Sequence, residues 1–376
     1  LEEAAKKRPV TAGLLVATAK MYMELGEMEK AIDKLKEALK KDDSNMNARF
    51  NLGVALYKMK DYESSLKQFE EVAKFNPHYP DLSLYRGLLY EAKGDNEKAM
   101  EFYNEAIKVN PDDENVLLRA IEIFVASENF DRAEPLVSKV MGKNPGNSDA
   151  VYYMGRILLG QGKLVDALNY FEKAIKLNPH KGLYHLWAGI TCDNIGNFPA
   201  ALQYSEKAIE LDPSLAKAYY LSGKIKVKMK LIRDGKEDLK KALELDSGII
   251  DVWGPLGIAL EEERNFKEAI IAYSKYLAKN INDYEIHCRM AMLLYERGDI
   301  NEAKEHFQKC VDISRKSAPD SKWRFTALYY LGKIEENSGN INGAIKYYEE
   351  YLRGAPQSAI DREDVQKHLE NLSKKQ

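Results

Sequence analysis

Cysteine is scarce: Cys192, Cys288 and Cys310 are the only three in 376 residues. An odd, scattered set excludes a disulfide framework and offers no thiolate metal spacing. A reducing, cytoplasmic setting is the expectation. The six histidines form no metal or triad constellation, and no His-Glu-x-x-His stretch occurs. Charge of one sign is also missing. Fifty-six basic residues against 59 acidic ones leave a net charge of −3, without the basic excess that marks nucleic-acid binders. No apolar run approaches the roughly 20 residues needed to span a bilayer. Gly155-xxxx-Gly160-Gln161 has phosphate-loop spacing but no lysine to reach a phosphate. Nothing gathers a nucleophile, a base and oxyanion donors, so no enzyme, cofactor or metal is expected.

What the chain does have is a ruler. Gly53, Gly87, Gly155, Gly189, Gly223 and Gly257 are separated by multiples of 34 residues. Ala31, Ala99, Ala133, Ala167, Ala201, Ala269 and Ala303 form a second ladder, and Pro77, Pro111, Pro145, Pro179 and Pro213 a third. A 34-residue self-similarity indicates stacked helical hairpins. Each hairpin must bury its apolar face against its neighbours.

Nine frames start at Ala12, Met46, Pro80, Glu114, Ser148, Gly182, Ala216, Ile250 and Tyr284, and a tenth near Phe325 after seven extra residues. In the fifth frame, Val151, Met154, Leu158 and Leu159 stripe one helix. Leu164, Ala167, Leu168, Phe171 and Ile175 stripe the next at helical spacing. The small residues at the eighth and twentieth slots let paired helices approach closely. Glycine at the fifteenth slot suits a left-handed helix end. Proline at the thirty-second slot stops the second helix.

These residues resemble the tetratricopeptide repeat. Trp253-xx-Leu256-Gly257 and Ala269-xxx-Tyr273 match the family's W-xx-LG and A-xxx-F elements. The resemblance covers about residues 12–358. It implies an all-α fold, an α-α superhelical solenoid of tandem 34-residue helix-turn-helix repeats with a concave groove lined by the first helices. The expected organisation is a lead-in at 1–11, eight contiguous repeats at 12–283, two more at 284–358 and a capping helix at 359–376. Val365, His368, Leu369 and Leu372 form the stripe of that cap. The start at Leu1 instead of methionine suggests a processed or excised piece.

The pattern falters in places. The fourth repeat has Ile121 in the glycine slot, Glu128 in the turn slot and Val137 in the aromatic slot. The seventh has Lys226 at a normally buried position, Lys230 in the turn and Gly235 for alanine. Gly254-Pro255 falls inside a first helix, which should therefore start late, with Pro255 in its first turn, or bend. A hinge is expected near 230–255, and the insertion near 316–323 should lengthen a helix or a loop, with Asp320 as the next cap. His185 and His287 occupy a packing slot.

The resemblance places slots two, five, six, nine, twelve and thirteen in the groove. Expected there are Asn115 and Arg119, then Tyr152, Tyr153 and Arg156, then Trp187 and Asn194, then Lys217, Tyr220, Lys224 and Lys228. Slot six runs Asn51, Tyr85, Arg119, Tyr153, Trp187. Aromatics and arginine dominate binding energies at interfaces. A protein partner, as an acidic and hydrophobic peptide or helix or as a folded domain, is the expectation. The chaperone-tail clamp fits poorly: Asn51 matches, but Val16, Lys20, Asp81 and Tyr85 do not. The functional expectation is a non-catalytic scaffold or adaptor organising a multiprotein complex, in a setting such as motility, pilus, secretion or organelle assembly. The alternatives are a recruiting arm of a larger enzyme, or a scaffold that assembles with its own copies.

Overall fold

The computed structural model describes residues 11–359 and 361–373. The expected lead-in lies outside the described residues except for Thr11, as do positions 360 and 374–376 of the expected cap. Among the described residues the chain is helical, without strands, and divides into two compact units, Leu1–Pro179 and His180–Gln376. The division falls between the fifth and sixth frames, away from the irregular stretch near 230–255.

The first unit holds five antiparallel helix pairs. These are α1 (Ala12–Glu24) with α2 (Met28–Lys41), α3 (Met46–Lys58) with α4 (Tyr62–Phe75), α5 (Leu82–Ala92) with α6 (Asn96–Val109), α7 (Glu114–Ala126) with α8 (Phe130–Lys143), and α9 (Ser148–Gly160) with α10 (Leu164–Leu177). The second unit holds α11 (Gly182–Ile195) with α12 (Phe198–Leu211), α13 (Ala216–Lys228) with α14 (Ile232–Leu245), and α15 (Trp253–Glu262) with α16 (Phe266–Leu277). It continues with α17 (Tyr284–Arg297) and α18 (Ile300–Ser317), α19 (Lys322–Asn337) and α20 (Ile341–Gly354), and ends at α21 (Arg362–Ser373).

Each slot has a visible cause. A Cβ on Gly155 would sit 2.8 Å from the Phe171 ring, and one on Gly257 2.5 Å from Tyr273. At Gly53, Gly87, Gly155, Gly257 and Gly332, glycine at the eighth slot thus makes room for the aromatic sixteen positions later. The fourth repeat exchanges the two volumes: Ile121 and Val137 are both fully buried, a bulky residue where glycine stands elsewhere and a smaller one in place of the ring. Total volume is conserved, which is what a close-packed core requires.

The fifteenth slot is left-handed in every repeat, whether or not glycine fills it. Gly162 has φ 76°, and Lys60, Glu128, Lys230 and Arg264 are forced to φ 62°, 56°, 65° and 62°. The geometry of the turn therefore outranks residue preference there.

The insertion lengthens two helices and leaves the loop short. α18 has 18 residues against the usual 14, and α19 has 16 against the usual 13, which absorbs all seven. The cap of α19 is Ser321, which accepts a hydrogen bond from Trp323 N at 3.3 Å, and not Asp320 as its position beside Pro319 suggested. A serine hydroxyl one residue later satisfies the orphan amide equally well. A short 3-10 turn, Ile250–Val252, precedes α15, and Pro255 stands in the first turn of that helix as expected. α21 buries Val365 and Leu372, and His368 stacks on Tyr348 at 5.6 Å.

Candidate functional site

The first unit closes its own first-helix face. Tyr152, on α9, is 3% exposed; its ring lies 5.9 Å from Phe171 and its hydroxyl accepts a bond from Arg156 Nη1 at 2.9 Å. Tyr153 packs 5.0 Å from Tyr152. Arg119 on α7 is half exposed but already bonded to Glu122 at 3.0 Å. Asn115 is exposed beside it. Further down, Tyr85 meets Phe50 edge-on at 5.5 Å, and Asn51 is buried, donating to Asn47 O of its own helix at 2.6 Å. From the second repeat to the fifth, slots five and six are filled with packed or paired groups.

The second unit differs. A cavity of about 450 Å³ opens across α13, α15 and α17. Tyr220, Lys224 and Lys228 line it, as three of the residues expected in the groove. Lys217 and Asn194 are exposed outside its lining, and Trp187 is half-buried on α11. Val227, Pro255, Ile258 and Ile286 supply apolar surface, with Tyr276 contributing a second ring. The eighth repeat is locally unusual: Gly254 and Pro255 occupy its slots five and six, where the third to seventh repeats carry leucine, arginine or aromatic side chains. A Cβ on Gly254 would meet the Tyr276 ring at 3.0 Å, so that ring fills the space at slot five, and the notch lies beside it along Pro255 and Ile258.

The charges around the notch are mostly spoken for. Lys224 reaches Asp193 Oδ2 at 2.7 Å and Lys228 reaches Asp193 Oδ1 at 3.0 Å. The Asp193 side chain is only 6% exposed. Burial alone would raise its pKa, but the two ammonium groups outweigh that and hold the carboxyl below its ordinary value. Lys230 is bonded to Glu262 at 2.7 Å. Lys226, half-buried, meets Asp238 at 2.8 Å and Glu206 at 3.4 Å, so its place in the array is compensated. Burial works against the charge on Arg289, yet Glu261 at 3.2 Å and Glu285 at 2.9 Å keep it strongly protonated. The Tyr220 phenol is pushed up to about 12 by burial, with Asp251 and Asp193 adding to the effect.

Two carboxylates at the other edge have only neutral partners. Asp251 accepts from Asn280 Nδ2 at 2.9 Å. Asp283 caps α17 by accepting from Ile286 N at 3.1 Å, and it accepts from Tyr276 Oη at 3.0 Å. No cation among the described residues forms an ion pair with either.

Sequence reasoning missed Asp251, Pro255 as a wall, Ile258, Tyr276, Asp283, Glu285 and Arg289. Slots two, six and nine of the eighth repeat and slots two and six of the ninth would have found Asp251, Pro255, Ile258, Glu285 and Arg289.

Among the described residues no cluster of metal-ligating side chains is present, and no helix is long and apolar enough to cross a membrane. His185 and His287 are both buried in the packing slot, and the three cysteines are buried free thiols.

Comparison with known proteins agrees with the geometry. Models described as "Tetratricopeptide repeat" match residues 50–114, 124–188, 184–215, 216–248 and 284–357, and one described as "TPR repeat" matches 19–60. The TPR repeat-containing protein MJ1428 of Methanocaldococcus jannaschii is 32% identical over 79 residues, 21% of this chain. That match spans only 14% of the length of this curated relative. Among solved structures, a tetratricopeptide repeat protein from Parabacteroides merdae is similar with a TM-score of 0.56 at 20% identity, covering 66% of this chain and 98% of its own. The Cut9–Hcn1 hetero-tetramer of APC/C gives 0.56 at 13% identity, covering 96% of this chain and 76% of its own. Human IFIT1 with m7Gppp-AAAA gives 0.52 at 17% identity, covering 92% and 90%. At these identities the likeness is one of fold. Family matches over most of its length, on helices that follow the same 34-residue frame, make this chain a member of the tetratricopeptide repeat family.

Proposed function

We propose that this protein is a non-catalytic interaction scaffold that grips one partner segment in the cavity of its second unit. The observation that carries this reading is the 450 Å³ notch itself, walled by Tyr220, Tyr276, Ile258 and Ile286. A concave site with an apolar lining and a few fixed polar groups suits a single apolar side chain of a docked peptide or helix. The family fold supports interaction scaffolding in general, and repeat arrays bind along the face their first helices share.

An acidic partner, expected from the lysines, loses its main support because Lys224, Lys228 and Lys230 already have carboxylate partners. The anchor is therefore apolar. The IFIT1 structure contains a capped RNA, but carboxylates at Asp251, Asp283 and Glu285 and the net charge of −3 oppose phosphate here.

Selection of a displayed peptide library on the whole chain tests the reading. Enriched peptides should share one large apolar residue and lose binding to Ile258→Lys, with the fold checked by circular dichroism. Peptides that bind Ile258→Lys as well as wild type would sink it. The assembly served, whether motility, pilus, secretion, organelle assembly or the enzyme portion of a larger chain, is to be sought from the selected sequences.

A further inference from the structure

Peptide cavities in repeat arrays are often judged by counting charges along the lining, and here that count misleads. Four cations and three carboxylates line the notch, which looks basic. Counting pairs reverses the sign at one edge. On the α13 side, each lysine faces a carboxylate from a neighbouring helix: Asp193 from α11 and Glu262 from α15. Arg289 is held between Glu261 and Glu285. At the edge formed by the starts of α15 and α17, Asp251 and Asp283 have no ion-pair partner among the described residues and are bonded only to an amide, a phenol and a backbone N–H.

The neutral partners hold these carboxylates in place without cancelling them. Tyr276 Oη fixes Asp283, and Asn280 Nδ2 fixes Asp251. Both carboxylates lie within the same lining as Ile258 and Ile286. A cation arriving with the ligand would meet a preorganised field beside a low-dielectric wall, where charge pairing is stronger than on open surface.

Resting on the reading of the notch as a peptide site, we propose that the occupant carries a lysine or arginine next to its apolar anchor. The anchor enters between Tyr220 and Tyr276, and the basic group lies along the Asp251–Asp283 edge. Specificity then comes from charge at this edge and affinity from the apolar wall.

Three fluorescein-labelled dodecapeptide sets test this on the full chain by anisotropy. Each has a central leucine or phenylalanine, flanked by lysine and arginine, by aspartate and glutamate, or by serine and glycine. The basic set should bind about fivefold tighter than the neutral set, the effect of a charge pair at a half-exposed rim, and the acidic set should bind weakest. Asp251→Asn should reduce the basic set's advantage over the neutral set, and Asp251→Lys should favour the acidic set. An acidic preference in the wild type, or a basic preference that survives Asp251→Lys, overturns the charge assignment and leaves the apolar anchor standing. Binding of the sets to Ile258→Lys as tight as to wild type, or no binding of any set to the wild type, overturns the peptide site as well.

Discussion

The two units share one repeat and differ in its groove slots at the eighth copy. In the first unit, Tyr152, Tyr85 and Asn51 turn into the packing, so the slots that looked richest in binding residues are occupied by the protein itself. In the second unit, Gly254 admits the Tyr276 ring, 3.0 Å from where its Cβ would lie, and the compact Pro255 lines a cavity between aromatic walls. An aromatic is available to a partner only when nothing within the chain claims it.

The largest effect expected from this contrast is one of stability. Tyr152→Ala should destabilise the first unit by about 3–5 kcal/mol, the usual cost of deleting a buried ring, and leave peptide binding intact. Chemical denaturation followed by titration of the folded protein checks both halves. Weakened binding by a still-folded protein would break the comparison.

Next is the anchor. Ile258→Lys should weaken a selected peptide by about thirtyfold, the loss of roughly 2 kcal/mol typical of a central interface residue. Pro255→Glu, a residue favoured in a first helical turn, should weaken it severalfold without lowering the melting temperature.

Acid should separate the units. His287 and His306 face each other on α17 and α18 with Nδ1–Nδ1 2.8 Å, and His287 Nε2 donates to Ile281 O at 3.0 Å. Only one proton fits between the two Nδ1 atoms. Burial, then the neighbouring imidazole and Lys309, push His306 down to about 4 from its ordinary 6.5. Burial also lowers His287, with Lys309 adding to it and the Ile281 carbonyl and Asp283 opposing. Because the folded pKa is depressed, the unfolded chain binds the extra protons. Stability present above pH 6.5 is therefore lost as pH falls towards 4, by on the order of 2 kcal/mol. The first unit has His78 alone, exposed. Hydrogen exchange at pH 7 and pH 4.5 should show the second unit loosening first, and equal loosening of both would contradict this.

The smallest effect tests the ruler. Lys230→Gly should stabilise by about 0.5–1 kcal/mol, since glycine adopts the left-handed turn without strain. Gly162→Lys in the first unit should lose a similar amount.

Much of this was legible in the sequence because slots report local geometry. The helix pairs, the left-handed fifteenth slot, the glycine–aromatic fit and the late start at Pro255 all follow from residue size and backbone preference. The pairing of Lys224 and Lys228 with Asp193 was hidden because it joins helices of successive repeats, and slot arithmetic alone does not say which charges meet. Tyr152 was misleading because a groove slot does not reveal which way its ring turns. The cavity was hardest to foresee, since its lining joins Tyr220, Pro255 and Ile286 from three successive repeats. Even the cap of α19 turned on one position, Ser321 in place of Asp320, because either side chain fits beside Pro319.

The central claim is that the opening at Gly254-Pro255, and not the aromatic surface of the first unit, holds the partner. One titration tests it most directly: the same basic-flanked leucine peptide against wild type, Ile258→Lys and Tyr153→Ala. The account predicts about thirtyfold weaker binding for Ile258→Lys, and binding within about twofold of wild type for Tyr153→Ala. Loss of binding in Tyr153→Ala with Ile258→Lys unaffected would contradict it.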